Sequence, residues 1–510
     1  MQPDPRRWWA LAALVPVALA LNIDATVLSL AIPTLSGALH ASTAELQWFV
    51  AAYTLVFAAT MVPAGMLGDR YGRKRLLLAA LVLFGIASAA CAYAPSAGAF
   101  IAARALLGVA AGVATPLTMG VLPVLFPEQE RGRAVAIVLS ATMLGYPIGP
   151  ILGGWLLSNF WWGWVFLINV PVVAIAAVSV SFLLPESRSS ERSRLDGVGV
   201  ALAGVGLASL VYGVIQAGQN GWSNGAAIGE MLAGAAVLCA FAFWEQRVTE
   251  PLLDLGLFRA AGFTWGTVLG TTVSFALFGL LFAVPQYFQE VVGVNAMGSG
   301  LRLLPMMGGM LAGAGLGDAL GRRLGPKLTV AIGFVVLAAA LAAGSRTGLG
   351  SGYGFVAAWI AAIGFGTGLS MPTAMNAALG ALSAERSGVG SGAIQALRMV
   401  GGSFGAAILG SILNSGYRGR LDVAALPPAL ARSARGSVVA GVAVAKTLRS
   451  PALLHTVDAA FVHGMGLSLV VAGAVAAAGV PLALRFLPRA AAEAASIDTR
   501  SEGSPRELAA

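Results

Sequence analysis

Apolar residues in this chain run in long blocks, and polar residues are confined to short clusters between them. A helix that crosses a hydrocarbon core of about 30 Å needs roughly 20 apolar residues. Fourteen blocks meet that length, at 8–36, 46–67, 75–94, 97–125, 133–158, 162–184, 197–217, 226–245, 262–289, 298–320, 327–345, 353–380, 388–414 and 459–487. The pattern predicts an all-α integral membrane protein with fourteen transmembrane helices. An even number of crossings puts both chain ends on one side. Most of the 31 lysines and arginines fall in the clusters on that side, which marks it as cytoplasmic. One cluster dissents. Residues 415–458 carry Arg418, Arg420, Arg432, Arg435, Lys446 and Arg449 yet fall on the outer side. The apolar piece at 437–445 is too short to cross, so it reads as a surface-lying or loop-packed segment, with a cryptic extra crossing as the alternative.

Composition agrees with the pattern. Of 510 residues 58% are hydrophobic and 10% charged, with a mean hydropathy of +0.82, whereas soluble domains carry about 25% charged residues. The first block is too long for a signal-peptide core of about 7–15 residues and reads as a retained first span. A net charge of +9 is explained by basic residues flanking the spans and calls for no nucleic-acid partner. Cys91 and Cys239 both lie in apolar blocks and read as small core residues rather than a disulfide. Scarce lysine beside abundant arginine, alanine and glycine points to a GC-rich bacterial genome.

Residues 65–77, Gly-Met-Leu-Gly-Asp-Arg-Tyr-Gly-Arg-Lys-Arg-Leu-Leu, fill the short gap between the second and third blocks. Gly65 and Gly68 are expected to let helix ends approach closely. Asp69 can accept from a helix N-terminus or an arginine. Arg70, Gly72, Arg73, Lys74 and Arg75 make a tight, basic turn. The string echoes at Asp318-Ala-Leu-Gly321-Arg322-Arg323, again after the second span of a six-span block. That repeat divides the chain into halves at 8–184 and 262–487, the second with a long outer loop at 415–458. The spans within 197–245 have no counterpart in the repeat and read as an inserted hairpin. Residues 488–510 form a tail.

Few side chains in the blocks can carry chemistry. Asp24 lies deep in the first. An ionisable group inside a membrane is a functional candidate by default, and a carboxyl group removed from water can take up a proton in one conformation and give it up in another. Arg104, in the fourth block, cannot shed its proton and must face a cavity, an acid or carbonyls. Gly108 and Gly112 beside it offer a small-residue face for close packing. Arg398 is a second buried arginine, open between a cavity role and an anchoring one. The run Gly145, Gly149, Pro150, Gly153 and Gly154 predicts a kinked, closely packed helix able to act as hinge or seal between the halves. Other signals fall away. Gly401-Gly-Ser403-Phe-Gly405 fits a nucleophile elbow in letters only, since that elbow needs a preceding strand with histidine and acid partners. His40, His455 and His463 have no metal-ligand spacing. Glu230 and Glu290 fall near outer span ends, where water would reach them. No Gly-Lys dipeptide occurs, so there is no P-loop. Neither cofactor nor metal is called for, and no enzyme is indicated.

These strings resemble the major facilitator superfamily, and within it the fourteen-spanner drug:proton antiporters. The loop string 65–77 and the fifth-span glycine string carry most of the likeness. Asp24, Thr26, Ala31 and Pro33 match the first-span pattern, with Ser29 in place of an asparagine. Gln47 to Tyr53 resembles the second-span string. Trp162 to Pro171, including Asn169, follows another, with Gly163 where arginine is usual. Arg104 and Gly108 keep the fourth-span string, with Leu107 in place of a glutamine. Pro285 to Gln289, Gly293 and the run Gly300 to Pro305 follow the ninth- and tenth-span pattern. The resemblance implies two six-helix bundles rocking about a central cavity. It implies export of drugs or other small amphipathic molecules against proton entry, through a monomer. Asp24 would exchange the proton and Arg104 tune it, Tyr53 and Arg398 would line the cavity, and the loop would switch conformations. An uptake symporter and a non-transporting sensor are the alternatives on the same scaffold.

Overall fold

A computed structural model of the chain describes residues 7–187, 196–248, 251, 253–382 and 387–488. The expected tail lies outside them from residue 489 onward. Among the described residues there are helices and no strands. The long elements are α1 (Arg7–Ala38), α2 (Thr43–Tyr71), α3 (Arg73–Ala92), α4 (Ala97–Gly120), α5 (Glu128–Asn159), α6 (Asn169–Leu183), α7 (Gly197–Asn220) and α8 (Gly225–Glu245). They are followed by α9 (Ala261–Gln286), α10 (Ala296–Arg302), α11 (Leu304–Gly344), α12 (Tyr353–Leu379) and α13 (Ser387–Arg420). Two short helices, α14 (Pro428–Gly436) and α15 (Val438–Thr447), precede α16 (Pro451–Phe486).

Local sequence sets the helix ends. Ser42 and Glu45 form a reciprocal capping box at the start of α2, satisfying two amides that a helix N-terminus leaves without partners. Asp196, Asn224 and Ser450 cap α7, α8 and α16 through their side chains. Gly72 ends α2 at φ 109°, a conformation that side chains disfavour.

Buried apolar side chains fall into two large clusters. One is drawn from residues 10–184 plus Phe282. The other is drawn from 269–487 plus Leu30. Each cluster thus takes one residue from the other bundle, and both of these sit where α1 meets α9. The two described chain ends lie at one end of the molecule. Arg7 donates to Glu130 at the start of α5 at 2.9 Å, and Phe486 stacks on Trp265 near the start of α9 at 4.2 Å. At the opposite, distal end, Gln289 beyond α9 donates to the Leu30 carbonyl at 2.9 Å.

Twelve helical stretches among the described residues are long and apolar enough to cross a membrane. This falls short of the expected fourteen at two places. α5, which holds the block at 133–158, has many side chains outside the described residues and so is not counted among the twelve. The blocks at 298–320 and 327–345 share one continuous stretch, Ala296–Gly344. That stretch is broken at Gly325, whose φ of 81° and ψ of 163° are not helical. The repeat therefore turns at Gly325, before Pro326, and not at Gly321 as the matching letters suggest. Gly321 is helical and its missing side chain would meet open space.

Other boundaries moved as well. Helix α13 continues to Arg420 and α16 begins at Pro451, so the loop expected at 415–458 is shorter and holds α14 and α15. The latter packs into the second cluster through Val438 and Val442. Cys91 is buried but Cys239 is exposed on α8, which removes the second from the core. Glu290 is only partly accessible, contrary to the solvated position expected of it, because the π-turn Tyr287–Val291 carries it into the distal packing. Gly325→Ala is expected to lower stability by about 1–3 kcal/mol, since its backbone region is nearly closed to side chains. Gly321→Ala should be neutral or stabilising. Thermal unfolding of the two detergent-purified variants checks this.

Candidate functional site

Asp24 and Arg104 meet inside the first bundle. Arg104 Nη1 donates to Asp24 Oδ2 at 2.8 Å, with 1% of each side chain exposed. The rest of the pair is held as well. Arg104 Nε donates to the Phe49 carbonyl at 3.1 Å, and its guanidinium lies 4.4 Å from the Tyr53 ring centre. Asn169 Nδ2 donates to Asp24 Oδ1 at 3.2 Å. Four helices therefore converge on the pair: α1 brings the acid, α4 the arginine, α2 a carbonyl and a ring, and α6 an amide. Asn169 escaped the sequence reading as a partner. It was visible only as one letter of the string 162–171.

Close helix approach explains the geometry. A side chain at Gly108 would strike the Tyr53 carbonyl at 2.6 Å, and one at Gly112 would strike Phe57 and Thr60. The glycines seat α4 directly on the α2 backbone, and this brings Arg104 within reach of the Phe49 carbonyl.

Beside the pair is a narrow cavity between the bundles. Leu28, Ser29, Ile32, Val50, Tyr53, Thr54 and Arg104 line it from the first bundle, and Phe278, Leu281 and Phe282 from α9. Tyr53 is thus a wall residue. Arg398 is not among the lining residues. It contacts Ser274, Gln395 and the sulfurs of Met371 and Met375 within the second bundle.

The fifth-span glycines divide between two partners. Gly145, Gly149 and Gly153 face α1, where added side chains would meet Asn22, Thr26 and Val27. That corrects the expectation of a seal between the halves at these positions: the stripe presses α1 from the side opposite Arg104. The contact with the second bundle belongs to Gly154 and Pro150. A side chain at Gly154 would lie 2.9 Å from the Ala296 carbonyl, and one at Gly300 would lie 2.5 Å from the Pro150 carbonyl. Nearby, the Met297 amide donates to Ser158 Oγ at 3.2 Å. Further hydrogen bonds between the bundles lie at the same distal end, among them Ser36 with Ser437 at 3.2 Å, Thr43 to the Gly436 carbonyl at 3.0 Å, and Gln47 to the Ala407 carbonyl at 2.9 Å.

The loop at 65–77 sits at the end that holds the chain termini. A side chain at Gly68 would run into Leu117 of α4, whereas Gly65 faces open space; only the first of the two permits a close approach. Arg73 donates to the Gly120 carbonyl at 2.7 Å. Glu186, just past α6, accepts from the Lys74 amide at 3.2 Å and lies 3.5 Å from Arg75 Nε. Arg70 is exposed and lies against Tyr71. The Asp69 side chain is outside the described residues.

A family model described as Major Facilitator Superfamily matches residues 14–406. The chain belongs to this superfamily. It is 33% identical over 491 residues to a tetracenomycin C resistance and export protein of Streptomyces glaucescens, covering 94% of this chain and 91% of that one. A multidrug efflux pump of Mycolicibacterium smegmatis is 37% identical over 301 residues, covering 59% and 60%. Among solved structures, a bacterial homologue of the human lysosomal transporter Spinster superposes with a TM-score of 0.69 at 18% identity, covering 95% of this chain and 98% of that one. Membership makes the chain a multi-pass membrane transporter and not an enzyme, and its named relatives are drug and antibiotic exporters.

Within this transporter the two glycine contacts predict different defects. Gly149→Leu should overpack α1 and loosen the Asp24–Arg104 pair, with a stability loss of about 1–3 kcal/mol. Gly154→Leu should leave the first bundle intact but hold the distal contact apart. Thermal unfolding should separate the first variant from wild type. Thiol labelling of Ala296→Cys, a buried position at that contact, should be faster from the distal side in a Gly154→Leu background than in the wild-type background.

Proposed function

We propose that the chain exports small amphipathic molecules in exchange for protons, by alternating access of the two bundles around the cavity beside Arg104. On this reading the bundles 8–184 and 262–487 are the rocking units. α5 is a crossing, and α11 is two crossings that meet at Gly325, which makes fourteen with the hairpin. The basic residues flanking the terminal end support a cytoplasmic position for it. Closed distally, the described state is then the one that loads from the cytoplasm.

The observation that carries the reading is the buried Asp24–Arg104 pair at the edge of the cavity. A proton arriving at Asp24 Oδ2 removes the acceptor of the Arg104 Nη1 hydrogen bond and leaves a guanidinium without its counter-charge. Breaking a buried pair in this way costs about 3–5 kcal/mol, a shift of roughly a hundred- to several-thousandfold in a two-state balance. The released guanidinium finds relief toward the cavity, which it already lines. Protonation at the pair thus biases the conformation of the cavity wall. A charge moved through 100 mV supplies about 2.3 kcal/mol, enough to sustain roughly a fortyfold substrate gradient.

Cavity walls of leucine, isoleucine, valine and phenylalanine with a few hydroxyls suit drug-like aromatic molecules. Apolar pockets of this sort discriminate weakly, by about 1–3 kcal/mol per methylene, which fits the variety of drugs named for the relatives. In proteoliposomes with an inward proton gradient, the wild-type protein is expected to expel an amphipathic aromatic drug against its own gradient, with drug-dependent proton entry. Drug entering together with protons would mark uptake instead. Asp24→Asn should abolish drug-dependent proton flux while the protein stays folded and inserted, because the amide is near-isosteric and cannot titrate. Wild-type flux in that variant would remove Asp24 from the coupling site. Arg104→Lys should slow flux at least about tenfold, since a lysine lacks the planar fork that reaches Asp24 and the Phe49 carbonyl together.

A further inference from the structure

The inserted hairpin takes no part in the cycle described so far, yet its contacts are sharply unequal. α8 touches α7 through close glycine contacts, Gly213 against Met231 and Gly234 against Leu210, and is otherwise largely exposed. α7 carries polar contacts to the second bundle, and it does so with its distal half. From α13, Ser411 Oγ donates to the Val214 carbonyl at 3.0 Å. Asn414 Nδ2 and Ser415 Oγ both donate to the Gly218 carbonyl, at 3.1 and 3.2 Å, and Arg418 Nη1 donates to the Gln219 carbonyl. Gly218 and Gln219 belong to the last turn of α7, where carbonyls have no partner within the helix. Side chains of α13 therefore complete the end of α7. Toward α2 the contact is of another kind. Val211, Val214 and Ile215 pack against Ala44, Ala51 and Leu55, and the rings of Tyr212 and Trp48 lie 6.4 Å apart.

The membrane decides which of these contacts can part. Lipid tails are as apolar as leucine, so an apolar helix contact is exchanged for lipid at little cost. The four hydrogen bonds that α13 side chains give to α7 carbonyls are directional and part only if every donor and acceptor finds a new partner together. Ser411 marks the division. It accepts from Gln47 of α2 at 3.2 Å while donating to Val214 of α7, so one residue joins three helices.

We infer that the hairpin travels with the second bundle through the cycle, that the parting line runs between α7 and α2, and that α7 is an additional leaf of the distal gate. The inference rests on the alternating-access reading above.

Spin-label pairs on exposed distal positions test it. With Cys91 and Cys239 replaced by alanine, labels are placed pairwise at Ala38 of the first bundle, Asn220 of α7 and Gly419 of α13, all exposed. Distances are measured by double electron–electron resonance across a pH series, with and without Asp24→Asn. The 38–419 pair reports whether the bundles part at all. When it lengthens by several ångströms, the 38–220 distance should lengthen with it and the 220–419 distance should stay fixed. A 220–419 distance that changes while 38–220 stays fixed would assign the hairpin to the first bundle and overturn the inference. Movement in both would make the hairpin an independent element and overturn it too. A 38–419 pair that stays fixed under every condition would sink the alternating-access reading itself, and this inference with it.

Discussion

Two opposite charges held in a low-dielectric interior constrain everything around them. Each ion is expensive to remove from water, and their mutual attraction offsets this only when the geometry is good and the remaining polar positions are satisfied. Asp24 and Arg104 meet that condition through a backbone carbonyl and an aromatic face of α2 and an amide of α6. The first bundle is arranged accordingly. Gly108 and Gly112 bring α4 onto α2, and the stripe Gly145, Gly149 and Gly153 holds α1 from its other side. A pair so closely held has a well-defined broken state, which is the property that the proposed proton coupling needs.

Solvent chemistry also separates what is fixed from what can move. Inside each bundle, helices are joined by glycine-mediated backbone contact and by side chains that satisfy carbonyls. Between α7 and α2 the contacts are apolar, and lipid can replace them. Polar contacts between the bundles at Ser36, Thr43, Gln47, Ser158 and Gln289 all lie at the distal end.

Much of the architecture was legible because hydrophobic runs of membrane length leave few alternatives, and because a charge within such a run stands out. Asp24 and Arg104 could be picked for that reason. Their pairing depends on a distance between α1 and α4 that no local pattern encodes. Asn169 was hidden because an amide in a span is chemically unremarkable until its partner is known. Glycine spacing told that α5 presents a close-packing face, but not to which helix. The four-residue period of Gly145, Gly149 and Gly153 points at α1, and Gly154, one position out of that register, points at α10. The repeat misled in a similar way. Gly321 matches Gly72 by letter, yet the chain turns four residues later, where Gly325 precedes a proline that cannot extend the ladder from within a helix. Glu186 was lost among the polar residues of a connector, though it holds the turn after Gly72 in place.

Where α5 meets α10, backbone lies against backbone: Gly154 beneath the Ala296 carbonyl and Gly300 beneath that of Pro150. Side chains can follow a receding partner by changing rotamer, but a peptide group cannot. Dispersion contact weakens by a quarter to a half over a gap of about 0.5–1 Å, so such a contact tolerates little partial separation. A barrier made this way is either shut or fully parted. For the proton-driven exchange proposed above, that behaviour would set the tightness of the stoichiometry, because slip, the return of an unloaded carrier or the leak of ions through a half-open path, requires a long-lived intermediate.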